Sequence, residues 1–178
     1  MNSTTELTDM VDAQTEANEI LAVVERKFGF VPNLIKEMVT SPAVAQVYLS
    51  GQEAMAEASL ANKEQQAVQL TVAAYNQCHY CTAAHGLLGK HAGISSEALQ
   101  AIKSGGLPQD ERLKALVSAT RLLLEKRGWL NADELQSLFA EGIDRAQVYE
   151  IIALIGLKTI SNYINHVAHT KVDPELKA

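Results

Sequence analysis

The chain has two cysteines, Cys78 and Cys81, and they stand in a CxxC spacing within QCHYCTAAH. Asn76 and Gln77 break the chain after a helix that ends near Tyr75, so the pair opens the next helix. Unpaired backbone N–H groups and the helix dipole stabilise negative charge in a first turn, which lowers a thiol pKa and raises its thiolate fraction. A helix advances about 100° per residue, so Cys78, Cys81 and His85, at spacings of three and four, share one face. His85 is thus expected within reach of Cys81, where an imidazole can take the thiol proton or, once charged, hold the thiolate. A Cys81 thiolate attacking a peroxide oxygen would become a sulfenic acid, which Cys78 would resolve as an intramolecular disulfide. An external dithiol must then reduce that disulfide, and the cysteine pair is itself the only cofactor such chemistry needs.

Other readings use the same residues. CxxC with a histidine supplies three zinc ligands, but a structural site wants four, and His166 and His169 could approach only through folding. A non-catalytic redox-sensing or metal-binding module is therefore the alternative. Buried free cysteines can also be small core residues with no chemistry. A thioredoxin-type scaffold does not fit, because its redox motif follows a strand in an α/β unit and no sustained strand alternation occurs here.

The elements that must position these residues read as helices throughout. Leu113, Leu116, Val117, Thr120, Leu123 and Leu124 share one face, as do Leu135, Leu138 and Phe139. Ser41 with Pro42, Asn62, Asn131 and Asp144 stand where N-caps belong, and Asn131 with Glu134 forms a capping-box pattern. Gly128 and Gly142 follow apolar runs as C-terminal stops. The spacing predicts helices over 14–27, 33–39, 42–57, 63–76, 78–92, 96–103, 109–127, 132–141 and 145–169. Connections are short, so 1–178 is expected to be a single all-α domain, with residues 1–13 a mobile N-terminal tail. The last helix is apolar on more than one face from Val148 to Ile160, which predicts a place at the centre of the bundle or against another subunit.

Composition closes off several classes of function. A net charge of −6 without a basic cluster argues against nucleic acid, which is bound by grouped Lys and Arg. The longest apolar stretch, residues 151–157, is far shorter than the roughly 20 residues a membrane span requires. The polar, acidic start lacks the features of an export signal, so a cytoplasmic location is expected.

With helical pattern and CxxCxxxH in hand, the sequence resembles the AhpD-like (alkylhydroperoxidase D-like) branch of the carboxymuconolactone decarboxylase superfamily, in its peroxidase-related subgroup. The resemblance lies in QAVQLTVAAYNQCHYCTAAH (66–85), in GISSEALQAI (93–102), and in the flanking FVPNL (30–34) and NYINHVAHTKVDPEL (162–176). It implies an all-α fold assembled as a homotrimer or trimer-based homohexamer. It also implies Cys81 as the peroxide-reactive cysteine, Cys78 as resolving cysteine and proton donor, and His85 as a member of the proton relay. The expected activity is that of an antioxidant alkyl hydroperoxide or disulfide reductase, recharged by a lipoylated or thioredoxin-like protein dithiol. The family's decarboxylase members lack the CxxC pair, so that activity is the less expected one. One departure stands out: the family relay usually has a glutamate twelve residues before the first cysteine, where this chain has Gln66. Gln66 can orient His85 through a hydrogen bond but cannot take a proton, and Glu64 lies about 200° around the helix from it. Gln66 is kept as the fourth candidate site residue.

Overall fold

The computed structural model describes residues 3–177, with the side chains of residues 3–11 and 13 excepted. Nine α-helices make up the described fold: α1 (Ser3–Phe28), α2 (Asn33–Met38), α3 (Pro42–Met55), α4 (Asn62–Tyr75), α5 (His79–His91), α6 (Ser96–Lys103), α7 (Glu111–Lys126), α8 (Ala132–Ala140) and α9 (Arg145–Ala168). A short 3₁₀ turn, Pro174–Leu176, follows. The expected all-α class holds, and eight of the helices lie within a few residues of their predicted bounds. The first does not, for α1 runs back to Ser3. The expected N-terminal tail, residues 1–13, thus falls partly outside the described residues, and its backbone from Ser3 onward is helix.

Local chemistry explains the ends. Glu134 N–H donates to Asn131 Oδ1 at 2.9 Å while Asn131 N–H donates to Glu134 Oε2 at 3.0 Å, the reciprocal box read from sequence. Asp144 caps α9 in the same way, accepting from Gln147 N–H at 2.8 Å. Asn62 is displaced by one position: Ala61 is the N-cap of α4, and its N–H donates to Glu64 Oε2 at 2.8 Å. Ser41 precedes Pro42 at the start of α3, but its side chain caps nothing. Gly128 and Gly142 sit at φ of 80° and 78°, left-handed turns that end α7 and α8 without a Cβ penalty.

Helix α4 is the axis of the bundle, packed by α5, α6, α7 and α9. It buries Gln65, Ala67, Val68, Gln69, Leu70, Thr71, Val72 and Ala73, more than one face of a helix. Small residues at 67 and 73 let its neighbours approach closely. On one side Val68 packs with Leu116, Leu123, Ile151 and Leu154; on another Leu70 packs with Leu99, Ile102 and Val117. A third cluster joins Met38, Ala45, Tyr48, Ala73 and Tyr80 to the two cysteines. Helix α9 packs against α2, α3, α4, α5 and α7, turning Val148, Ile151, Leu154, Lys158, Ser161, Asn162 and Asn165 inward and leaving Tyr149, Ile152, Tyr163 and Val167 exposed. No described helix is long and apolar enough to cross a membrane.

Candidate active site

The turn between α4 and α5 delivers the thiols. Gln77 adopts a left-handed φ of 55°, its N–H donates to Ala74 C=O at 3.0 Å, and Cys78 N–H donates to Ala73 C=O at 2.9 Å. These two bonds close α4 with a Schellman motif, so Cys78 ends one helix and caps the next with no linker between. Cys81 is the third residue of α5. Both thiols are reduced and only 1% exposed.

Across from them runs a polar stripe of α9. Asn165 Nδ2 donates to Cys81 Sγ at 3.2 Å and reaches Cys78 Sγ at 3.7 Å, while Ser161 Oγ lies 3.8 Å from Cys81 Sγ. The two sulfurs titrate as an unequal pair. The hydrogen bond Cys78 makes to Cys81, the charge of Lys158 and contacts from Ser161 and Asn162 outweigh burial and hold Cys81 down at about 6. The same hydrogen bond, with burial, pushes Cys78 far above the ordinary thiol range. The pair favours ionisation at Cys81 over Cys78. The backbone N–H at the helix start acts on Cys78, through Cys81 N–H, whereas the pull on Cys81 comes from side chains.

His85 is buried, and both ring nitrogens have partners. Gln66 Oε1 lies 2.9 Å from Nδ1, and Lys158 Nζ lies 2.7 Å from Nε2. An amide oxygen only accepts and an ammonium only donates, so the proton sits on Nδ1 and Nε2 offers its lone pair. Burial and the Lys158 charge hold the imidazole well below its usual range, which keeps it neutral. Among the described residues no hydrogen bond joins His85 to either sulfur. The ring shares the face of Cys81 but bonds to Lys158 and Gln66 instead. Gln66 is half-buried and is itself oriented by Asn62 Oδ1, 3.2 Å from its Nε2. Glu64 is committed elsewhere, bound by Arg112 Nε at 2.6 Å.

Tyr80, between the cysteines, is buried and donates to Asp173 Oδ2 at 2.5 Å, and the same carboxylate accepts from Asn33 N–H at 3.2 Å. The 173–176 segment is thereby fastened over the start of α5. His79 is exposed, and so are His166, stacked on Tyr163, and His169 at the end of α9. Asn162 accepts from Asn76 Nδ2 at 2.9 Å. Among the described residues no three His, Cys, Asp or Glu side chains converge as a metal site would need.

Sequence reasoning brought Cys78, Cys81, His85 and Gln66 to one place but missed Lys158, Ser161, Tyr48 and Asp173. One signal was available: Lys158, Ser161, Asn162 and Asn165 recur at helical spacing inside an otherwise apolar helix, a polar stripe that must face something polar.

An all-helical bundle with a CxxC dithiol at the start of its fifth helix defines a class of thiol protein distinct from strand-bearing thioredoxin scaffolds. Residues 42–105 match the model of the carboxymuconolactone decarboxylase family. The fold is similar to the alkylhydroperoxidase AhpD core of an uncharacterized peroxidase-related protein from Ralstonia eutropha JMP134, with a TM-score of 0.80 and 18% identity over 91% of this chain and 87% of that one. A peroxidase-related protein from Silicibacter sp. TM1040 superimposes with a TM-score of 0.79 and 16% identity over the same shares. The debrominase Bmp8 is similar at a TM-score of 0.68 and 13% identity, over 90% of this chain and 87% of that one. A cysteine-to-alanine variant of Bmp8 was captured in complex with 2,3,4-tribromopyrrole. The comparison with curated proteins gives no match. Residues 42–105 thus match the carboxymuconolactone decarboxylase family model, and the fold is that of the AhpD-core structures.

Proposed function

We propose that this protein is a cysteine-dependent reductase of alkyl hydroperoxides, or of small disulfides, working through Cys81 and Cys78. The observation that carries this reading is the unequal thiol pair, in which one buried sulfur is held as a thiolate beside another that keeps its proton. A readily ionised thiol with a proton-bearing thiol at its side is the arrangement a two-cysteine peroxide reductase needs.

The Cys81 thiolate attacks the terminal peroxide oxygen: an S–O bond forms, the O–O bond breaks, and an alkoxide leaves to be protonated within the site. Cys78 then attacks the Cys81 sulfenic acid, the S–S bond forms, and the departing hydroxide takes the Cys78 proton to become water. A protein dithiol, lipoylated or thioredoxin-like, supplies the two electrons and two protons that restore the pair. Gln66 fixes the His85 tautomer, and His85 in turn positions Lys158. In this reading the protein is cytoplasmic and works as a homotrimer or trimer-based homohexamer. The reading needs no metal, nucleic acid or membrane partner.

Reduced, metal-free protein exposed to one equivalent of an alkyl hydroperoxide should lose both free thiols. The loss is slowed in His85→Ala and absent in Cys81→Ser. Thiols that persist in the wild type would overturn peroxide reduction. A brominated pyrrole added in place of the peroxide tests a second reading, reductive dehalogenation, which the fold shared with Bmp8 supports. Bromide release with loss of both thiols would favour it.

A further inference from the structure

Lys158 lies mid-way along α9 and is 1% exposed, and among the described residues no carboxylate comes within ion-pair distance of it. Burying an ammonium without an anion is strongly unfavourable. Its Nζ is 3.0 Å from Tyr48 Oη and 2.7 Å from His85 Nε2, and it sits over the Tyr48 ring, 5.4 Å from the centroid. Both partners are acceptors, so the amine holds its protons while they fix its direction. It is hydrogen-bonded to Tyr48 from α3 and His85 from α5, and it also feels Cys81 of α5 and Cys78 at that helix's N-cap. Its stripe-mates Ser161, Asn162 and Asn165 are uncharged, and α4 contributes only uncharged Gln66, by way of His85. Tyr48 packs in one cluster with both cysteines, and Ser161, three residues along α9 from Lys158, lies 3.8 Å from Cys81 Sγ, which places the thiol pair on the ammonium's side of the bundle.

We propose that Lys158 is the counter-ion of the Cys81 thiolate and the acid that protonates the alkoxide released when that sulfur is oxidised, with His85 and Tyr48 holding its ammonium in place. The proton-delivery half rests on the peroxide-reducing reading above; the counter-ion half does not. His85 is a poor acid here, because its only ring proton is on Nδ1 and points at Gln66, which cannot accept charge. Lys158 carries a transferable proton in the same pocket. On oxidation the thiolate and ammonium become a sulfenic acid and a neutral amine while the alkoxide becomes an alcohol. Disulfide formation then releases water, so the pocket has no net charge before or after. Two hydrogens from the reducing dithiol return to Cys78 and Lys158, and the Cys81 sulfur leaves as thiolate. Burial alone would push the Lys158 ammonium down, but Tyr48 and the Cys81 sulfur more than offset it and leave the group above its usual range.

The test is the 240 nm thiolate absorbance against pH for the reduced wild type, Lys158→Met and Lys158→Gln, with circular dichroism to certify folding. The wild type should show a step near pH 6, and both variants should move it up by at least about one unit, roughly a tenfold loss of thiolate below the step. Folded variants whose step stays in place overturn the proposal. If neither variant folds, wild-type protein labelled at lysine Cε with ¹³C decides: one lysine resonance must shift with the 240 nm step and again on oxidation, and the absence of any such resonance overturns it. A step that moves while wild-type thiols ignore peroxide would refute the proposed reaction and keep the counter-ion. Reactive thiols with an unmoved step would do the reverse.

Discussion

At the scale of residues, the unequal thiols make stability depend on pH in a definite direction. Cys81 is held below its unfolded value, so its contribution is absent below about pH 6 and grows as pH rises toward the ordinary thiol range. His85 is also held down, so its contribution is complete above its unfolded value and fades as pH falls below it. Both act in one sense, and the urea midpoint of the reduced protein should rise between about pH 6 and 8.5. In Cys81→Ser the rise above about pH 6.5 should vanish; a rise that survives would assign it to other groups. At position 66, Gln66→Glu should raise the rate of thiol oxidation, since a carboxylate on Nδ1–H makes Nε2 a better partner for the ammonium, while Gln66→Ala should lower it several-fold. An unchanged rate in both, followed by stopped-flow thiol counting, would remove residue 66 from the relay. Cys78, Cys81 and His85 were legible because they lie within eight residues of one another at the start of one helix. Lys158 meets His85 across 73 residues, Ser161 meets Cys81 across 80 and Asp173 meets Tyr80 across 93, distances that only the tertiary fold bridges.

At the scale of elements, what was legible was what local chemistry decides. The boxes at Asn131 and Asp144 are complete within four residues, so sequence displayed them whole. Helix α1 was shortened to residue 14 because apolar periodicity weakens before that point, although no Gly or Pro interrupts residues 3–28. Gln77 was read as a break, which it is, but its left-handed backbone is a cost that a side chain pays and glycine does not. Gln77→Gly should therefore stabilise the protein by about 0.5 kcal/mol after the greater unfolded-state entropy of glycine is counted. Urea titration checks this, and a loss of stability would mean that the Gln77 side chain contributes contacts of its own. The Asp173 clamp should show a graded response. Asp173→Ala leaves the Tyr80 hydroxyl and the Asn33 N–H without their acceptor and should cost about 2–3 kcal/mol, whereas Tyr80→Phe, which leaves the carboxylate its backbone donor, should cost about 1 kcal/mol.

At the scale of the whole molecule, the exposed side of α9 matters most. Tyr149, Ile152, Tyr163 and Val167 are 59%, 44%, 57% and 83% exposed, an apolar stripe down the helix whose opposite side holds Lys158 and Asn165. The proposed trimer gives that stripe a use, since burying it would brace the wall of the thiol site from behind. Sedimentation equilibrium should return a multiple of three chains, and Ile152→Glu with Tyr163→Glu should shift it toward one. A wild-type monomer would contradict the proposed assembly.

The sealing of the two sulfurs has a kinetic consequence for turnover. A small hydroperoxide can slip between side chains, but a reducing protein must bring its own sulfur into line with the disulfide, and at 1% exposure that requires the bundle to open first. Regeneration then runs at the opening frequency multiplied by the chance of capture. With ample reductant its rate should become independent of reductant concentration and set by how often the bundle breathes.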